Sequence, residues 1–412
     1  MVNDLQIEIR KDKQIKKFCA YGFLKDLRFF EPYLLIFLMD KGIDIFQIGI
    51  LIAIRELIIN IFEIPSGFIA DYFGRKKELY FSFSFYIISF IFFLYTRSFT
   101  LALIAMIFFG LGEAFRSGTH KAMIYTYLDH KNWQSEKTFV YGRTRSFSLL
   151  GSAISSFLGI IIILTIPSIN LIFLFSIIPY ILDLFLIMSY PKYLDVADKS
   201  NTKRPMVLLK DFYSNFKNNN CLRNILVEEG IFKSTISFIK DLIQPILEAI
   251  IIGSNVIILS RLSAENNLKV ILGIVYIFLN LFGAFFSKKA YIIKKDKSNI
   301  KCLIGIHLYL ALSMAVLGLV SKNPIFVFVI YIFIYIIFNI RQPIFVDEID
   351  NHIEKNERAT ILSAASLMKS LFLILFAPLF GFIADKYGIN IVMYILSGLF
   401  IISIPLLSIK ND

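Results

Sequence analysis

The sequence predicts an all-α integral membrane protein that crosses a bilayer twelve times. Hydrophobic residues make up 57% of the 412 positions, with 43 Phe among them, whereas soluble domains are about 45–50% apolar. Runs of about 20 apolar residues, long enough to span hydrocarbon, recur along the whole chain. Backbone groups in lipid must be hydrogen bonded within the chain, and long continuous apolar runs favour helices over the alternating pattern of a β-barrel.

A long polar stretch after the sixth apolar run separates the predicted spans into two groups of six. This organisation predicts an N-terminal half over 1–190, a cytoplasmic linker over 191–222 and a C-terminal half over 223–412. The predicted spans are residues 18–39, 45–68, 78–96, 99–125, 139–165, 170–190, 223–247, 269–288, 300–320, 324–346, 360–383 and 390–408.

The halves also echo each other in sequence. Lys25-Asp26-Leu27 precedes Pro32 in span 1, and Lys240-Asp241-Leu242 precedes Pro245 in span 7. Weak similarity at the same place in each half is typical of parallel internal repeats.

The distribution of basic residues predicts that both termini lie in the cytoplasm. The net charge is +12, and Lys and Arg cluster in the short loops between apolar runs. With the N-terminus inside, roughly 26 basic residues fall in inside segments and about six in outside loops, as the positive-inside rule requires. The basic character therefore indicates a protein of the cell membrane and no nucleic-acid partner.

Charged residues inside span 4 are candidates for a solute or proton pathway, because each such charge is expensive in lipid. Glu113, Arg116 and His120 are spaced to lie on one face of a continuous helix. A buried ion pair that orients helices and a site that lines a central cavity explain this face equally well.

Span 7 carries a second set of candidates. Glu229, Lys233 and Lys240 lie within about 40° of each other on a helix, with Gln244 close by. A stripe of mixed sign fits a water-filled pathway better than a lipid face, and the alternative is a span boundary that leaves part of it in water. The remaining candidates in the spans are Arg28, Glu31, Glu56, Arg341 and Lys369.

A short motif follows span 2, where the chain reads GFIADYFGRKK from Gly67 to Lys77. Gly74 permits a tight turn, Asp71 can cap the next helix, and Arg75 and Lys76 anchor the loop inside. The motif resembles the loop 2–3 signature of the major facilitator superfamily. A second copy runs from Gly381 to Gly388 after span 11.

The resemblance covers nearly the whole chain and implies two pseudo-symmetric six-helix bundles that give alternating access to a midplane site. It implies that the loop residues Gly67, Asp71, Gly74, Arg75 and Lys76 act as a conformational switch. The leading hypothesis is secondary active transport of a small organic solute coupled to protons, with efflux favoured over uptake. The candidate proton-coupling groups are Glu113, His120, Glu31 and Glu229.

Two other functions stay open from the sequence. One is an uptake carrier for an anionic or zwitterionic metabolite, and the other is a non-transporting membrane sensor or assembly protein. No nucleophile–base set and no metal-ligand spacing stands out, so neither an enzyme nor a cofactor is expected. The expected partners are the solute, protons and the lipid bilayer, and the expected state is a monomer.

Overall fold

The structure is a computed structural model that describes residues 4–195, 220–252, 262–287, 298–320, 323–350 and 358–407. Every regular element in these ranges is helical. In chain order the helices are α1 Asp4–Lys11, α2 Lys13–Lys25, α3 Leu34–Asp40, α4 Ile45–Phe73, α5 Arg75–Leu94, α6 Phe99–Arg116, α7 Thr119–His130, α8 Lys137–Thr165, α9 Leu171–Met188, α10 Asn220–Ile251, α11 Ala264–Ser287, α12 Asn299–Val320, α13 Pro324–Asp350, α14 Arg358–Tyr387 and α15 Ile389–Leu407. Short 3₁₀ turns cover Glu31–Tyr33, Gln134–Glu136 and Lys192–Asp195.

Ten helical segments among the described residues are long and apolar enough to cross a membrane. The all-helical, multi-pass class predicted from the sequence is therefore confirmed. Predicted spans 1 and 7 are not among the ten, because span 1 is broken into pieces and α10 carries several charged side chains. The count of twelve spans and their arrangement in two bundles remain predictions.

Span 1 is not one continuous helix. Helix α2 ends at Lys25, the chain is non-helical up to Phe30, and a 3₁₀ turn at Glu31–Tyr33 leads into α3. Pro32 lies at the start of that turn, a position where its missing N–H costs no helical hydrogen bond. The break places Arg28 on irregular backbone rather than on a helix face.

Span 4 is also interrupted, at Ser117 and Gly118. Gly118 has φ of +76°, a conformation that glycine adopts without the steric cost that other residues incur. Helix α6 ends at Arg116 and α7 begins at Thr119. The prediction that the span 4 charges share one face of a continuous helix is therefore wrong, because this turn redirects the backbone between Arg116 and His120.

Contacts within the chain define two compact units. Unit 1 consists of residues 1–37 and 57–202, and unit 2 consists of residues 38–56 and 203–412. Helix α4 contributes to both, since its residues 45–56 belong to unit 2 and its residues 57–73 to unit 1. Most of the predicted linker, residues 196–219, lies outside the described residues.

In unit 2 the first half of α4 crosses α14 at backbone contact distance. A Cβ on Gly49 would lie 2.3 Å from the carbonyl oxygen of Ala377, and one on Gly381 would lie 2.5 Å from the carbonyl oxygen of Ile45. At this crossing the Asp385 carboxylate accepts hydrogen bonds from the N–H groups of Ile45 (3.2 Å) and Phe46 (2.7 Å). The aspartate of the second motif copy thus caps the N-terminus of α4.

Gly49→Ala is expected to destabilise the protein by about 1–3 kcal/mol, because the added methyl group overpacks the crossing. The matched control is Gly398→Ala in α15, where a Cβ meets no atom of the described residues within 4 Å. There the higher helix propensity of alanine gives a neutral to slightly stabilising effect. The midpoint of thermal unfolding in detergent measures both variants, and equal midpoints would contradict the close crossing.

Candidate functional site

One carboxylate joins two arginines inside unit 1. Glu113 Oε1 lies 2.6 Å from Nη2 of Arg28, and Glu113 Oε2 lies 2.5 Å from Nη2 of Arg116. Arg28 Nε donates to the Tyr180 hydroxyl (2.9 Å) and Arg116 Nε donates to the Tyr86 hydroxyl (3.1 Å). Because one negative charge faces two positive ones, the cluster keeps a net positive charge in the interior.

The two helix interruptions produce this arrangement. Arg28 reaches Glu113 from the irregular segment after α2, whereas Arg116 is the last residue of α6, one turn after Glu113. Sequence spacing predicted the Glu113–Arg116 pair, since residues three apart are neighbours on a helix. It gave no indication of the Arg28 contact, which joins residues 85 positions apart.

A second charge pair lies at the end of α2. Lys25 Nζ contacts Oδ1 of Asp26 at 2.8 Å and donates to the Ser148 hydroxyl on α8 at 3.2 Å. The Ser148 hydroxyl in turn donates to Asp26. This pair is internally neutral and ties α2 to α8.

His120 lies among aromatic rings, not beside the carboxylate with which it was predicted to share a helix face. Its ring stacks on Tyr21 with centroids 3.6 Å apart, and Phe18 packs edge-on at 5.3 Å. The Nε2 atom lies 3.1 Å from the Tyr190 hydroxyl. The turn at Gly118 is the physical reason, because it moves His120 off the α6 face that carries Glu113.

A cavity of about 250 Å³ lies in unit 1 beside these groups. Residues of α2, of the turn between α6 and α7, of α7 and of α8 line it. Its charged lining residues are Lys25, Arg116, Lys121 and Arg145, and its rings include Phe18, Tyr21, His120 and Tyr141.

Asp183 on α9 is a buried carboxylate that the site prediction did not include. The residue is 0% exposed, and neither carboxylate oxygen has a hydrogen-bond partner within the described part of the chain. The charged groups that act on it electrostatically are Lys25, Asp26 and Arg116. A signal for it was present in the sequence, since it is the one acidic residue of an otherwise apolar span.

Unit 2 contains its own buried ion cluster, centred on Arg341. The guanidinium Nη2 lies 2.8 and 2.6 Å from the two carboxylate oxygens of Glu228, and Nη1 donates to Glu229. Lys233 Nζ contacts Glu229 at 2.7 Å, and His307 Nε2 lies 2.8 Å from Glu228. Sequence reasoning selected Arg341, Glu229 and Lys233 but gave no role to His307 or to the Glu228 pairing.

Aromatic rings enclose the cation of this cluster. The Arg341 guanidinium carbon lies 3.7 Å from the centroid of Phe232 and 4.6 Å from that of Phe345. Arg341 itself is 0% exposed. A guanidinium held between rings and carboxylates has a fixed geometry, which favours a structural role for this cluster.

The predicted stripe on span 7 divides between two places in unit 2. Glu229 and Lys233 join the Arg341 cluster, whereas the Lys240 ammonium lies 5.5 Å from the Tyr276 ring centroid. Gln244 Nε2 donates to the Tyr276 hydroxyl at 2.9 Å. The stripe is therefore two local sets of contacts.

Of the remaining candidates, Glu56 and Lys369 meet in unit 2, and Glu31 belongs to unit 1. Glu56 accepts hydrogen bonds from Ser370 (2.7 Å) and Arg55 (2.9 Å), and Lys369 Nζ lies 3.8 Å from it. Glu31 is half-buried and begins the 3₁₀ turn after the span 1 break. Glu56 is only 4% exposed, so these contacts compensate for its burial.

In the first motif copy, Gly67 and Asp71 lie in the last two turns of α4. Gly74 follows with φ of +100°, next to the start of α5. In the second copy Gly388 has φ of +90° between α14 and α15. Both copies therefore make the same kind of glycine turn.

The basic residues of this turn are anchored within unit 1. Arg75 Nη1 donates to the Thr126 hydroxyl at 2.7 Å. The Lys76 N–H donates to the Asp195 carboxylate at 2.7 Å, and its ammonium donates to the carbonyl oxygen of Tyr190 at 2.9 Å. The turn is thus fixed to α7 and to the segment after α9.

Ten of the described helical segments are long and apolar enough to cross a membrane, and each unit encloses a buried cluster of charges. These features define a polytopic membrane protein. A family model described as the Major Facilitator Superfamily matches residues 26–375. The chain belongs to the major facilitator superfamily, a family of transporters rather than enzymes.

One relative agrees with this membership, and two solved structures have a similar fold. The chain is 30% identical over 129 residues to the uncharacterised MFS-type transporter YxaM of Bacillus subtilis (strain 168), a match that covers 31% of this chain and 32% of that relative. The crystal structure of the nucleoside transporter NupG is similar with a TM-score of 0.79 at 12% identity, covering 97% of this chain and 100% of that one. A D-xylose–proton symporter is similar with a TM-score of 0.69 at 12% identity, covering 96% of each chain.

Proposed function

We propose that this protein is a secondary active transporter that moves a small organic solute by alternating access and couples it to protons. The observation that carries the proposal is the cavity in unit 1 that adjoins the Arg28–Glu113–Arg116 cluster. Charges inside membrane helices are kept where a polar pathway or a functional site requires them. Similar structures named as a nucleoside transporter and a proton symporter support the same class of function.

The proposal includes the topology expected from the sequence. Twelve spans in two six-helix bundles, with both termini in the cytoplasm, fit the ten apolar segments plus the broken span 1 and the charged α10. The bias of basic residues toward the inside segments supports the orientation and a location in the cell membrane.

Within this function, the group that carries the coupling proton is Asp183. Glu113 faces two arginines, and Glu229 faces Arg341 and Lys233, so a proton on either carboxylate would leave buried cations without their partners. Asp183 is fully buried and accepts no hydrogen bond within the described residues. A lone buried carboxylate is expensive as an anion, and binding a proton removes that cost.

The test is solute flux in proteoliposomes under an imposed pH gradient, with the solute chosen by a thermal-shift screen of metabolites. We expect saturable flux that follows the gradient and stops when a protonophore collapses it. Solute movement against the proton flow indicates efflux by antiport, and movement with it indicates uptake by symport. Flux that ignores the gradient contradicts proton coupling, and absence of flux supports the sensor alternative.

Two variants test the site within the same assay. Glu113→Gln is expected to lower flux strongly, because it removes the charge that both arginines share. Glu229→Gln is expected to lower it through loss of the Arg341 and Lys233 contacts. Flux at the wild-type level in both variants would contradict the proposal that these two clusters take part in transport.

A further inference from the structure

The cavity in unit 1 has an unusual balance of charge. Four of its lining side chains are cationic, namely Lys25, Arg116, Lys121 and Arg145. Within the described residues no carboxylate side chain lines it. A solute that enters this cavity therefore meets a positive surface.

The carboxylates nearby neutralise only part of this positive charge. Asp26 is matched by Lys25 alone, and Glu113 is shared between Arg28 and Arg116. Lys121 and Arg145 are exposed, and in the part of the chain that the structure describes neither forms an ion pair. Lys121 Nζ instead lies 5.2 Å from the centroid of the Tyr141 ring. Positive charge thus remains available at the cavity.

The backbone adds a second anion-binding feature at the same place. Gly118, His120 and Lys121 line the cavity at the N-terminal end of the twelve-residue helix α7. Gly118 is the N-cap residue, and no side-chain hydrogen bond caps this end among the described residues. The first-turn N–H groups of a helix carry partial positive charge and bind carboxylates and phosphates.

Aromatic side chains form another part of the lining. Tyr21 stacks on His120, and Tyr141 lies opposite Lys121. Tyr21 is 2% exposed, and its hydroxyl has no hydrogen-bond partner within the described ranges. Tyr141 is 45% exposed, so a planar solute would find ring surface there beside the cations.

We propose that this cavity binds a small organic anion, with one carboxylate or phosphoryl group attached to a planar ring. The anionic group is held by Lys121, Arg145 and the start of α7, and the ring lies against Tyr141. The volume of about 250 Å³ suits a single ring with one acidic substituent. This inference deepens the proposed transport function and rests on it for the route of entry, but the binding site itself is testable without transport.

The test compares matched charged and neutral probes by titration calorimetry on the detergent-solubilised protein. The carboxylate pair is 4-hydroxybenzoate against 4-hydroxybenzamide, and the phosphoryl pair is phenyl phosphate against phenol. At least one anion is expected to bind about 10- to 100-fold more tightly than its neutral partner, the range that charge-assisted hydrogen bonds provide. The stronger pair identifies the acidic group.

Variants locate the binding. Lys121→Gln and Arg145→Gln are each expected to weaken the anion about tenfold and leave the neutral probe unchanged, whereas Arg145→Lys keeps most of the affinity. The control Lys131→Gln makes the same change of charge at an exposed residue of the segment after α7 that does not line the cavity. The proposal falls if both anions bind more weakly than about 1 mM, if the neutral probes bind as well, or if the control loses as much affinity.

Binding and transport can fail separately. Selective anion binding without any solute flux would overturn the transport function and keep the site. Gradient-driven flux of a neutral solute, with no anion binding, would keep the transport function and overturn the site.

Discussion

Arg341→Met is expected to lower the free energy of unfolding by about 3–5 kcal/mol, because it leaves two buried carboxylates without the guanidinium that compensates their charge. Arg341 is 0% exposed and contacts both Glu228 and Glu229, which are 0% exposed as well. Lys233 and His307 still face these acids in the variant. They do not replace the guanidinium, because within the described residues it is the one cation that contacts both carboxylates. It also packs against the Phe232 ring.

The midpoint of thermal unfolding in detergent measures this loss, with exposed Arg97→Met as the control for removing one positive charge. Replacing Arg341, Glu228 and Glu229 together by Met, Gln and Gln is expected to recover much of the stability, since no uncompensated carboxylate remains. The expectation is contradicted if Arg341→Met is as stable as the wild type. It is also contradicted if the triple variant is no more stable than Arg341→Met, because the two carboxylates would then not be the cause of the loss.

Asp183→Asn is expected to abolish solute accumulation driven by a pH gradient while solute exchange continues. A gradient of one pH unit supports about a tenfold concentration ratio for one proton per solute. In the variant the ratio should fall to one, because an amide of nearly the same shape cannot carry the proton. Exchange of labelled for unlabelled solute at equal pH needs no net proton movement and reports that the protein still folds and binds.

The matched control is Asp129→Asn, which changes an exposed aspartate at the end of α7 that pairs with Lys137 at 3.5 Å. This control is expected to accumulate solute like the wild type. Tenfold accumulation by Asp183→Asn would contradict the assignment of the proton to Asp183. Loss of both accumulation and exchange would indicate a folding defect, which the unfolding midpoint of the same preparation detects.

Apolar runs were sufficient to predict the helical, multi-pass fold, because lipid leaves a spanning backbone few alternatives. The interruption of span 4 was not predictable in the same way. A glycine within a helical pattern is compatible with a continuous helix, and only the positive φ of Gly118 shows that the helix ends. His120 consequently lies in a different environment from the one its spacing indicated.

The candidate site was predictable only where partners lie on the same helix. Spacing brought together Glu113 with Arg116 and Glu229 with Lys233, at three and four residues. The partners of Arg341 are more than a hundred residues away, and no spacing rule connects them. His307 and Asp183 are also ionisable residues in apolar spans. The same rule that selected the other charged candidates therefore applies to both of them.

The protein cannot be divided at the linker into two intact folding units, because both units include residues of helix α4. Its 29 residues run from Ile45 to Phe73, yet the contacts of Gly49 and Glu56 are with α14, more than 300 positions along the chain. A fragment that ends after the sixth span would carry the first half of this helix without its cap, its crossing partner and the groups that compensate for Glu56. The predicted C-terminal half and unit 2 are therefore different stretches of chain, because unit 2 also includes residues 38–56. A cut in the linker would divide the two predicted halves, but it would also remove residues 38–56 from the unit in which they pack.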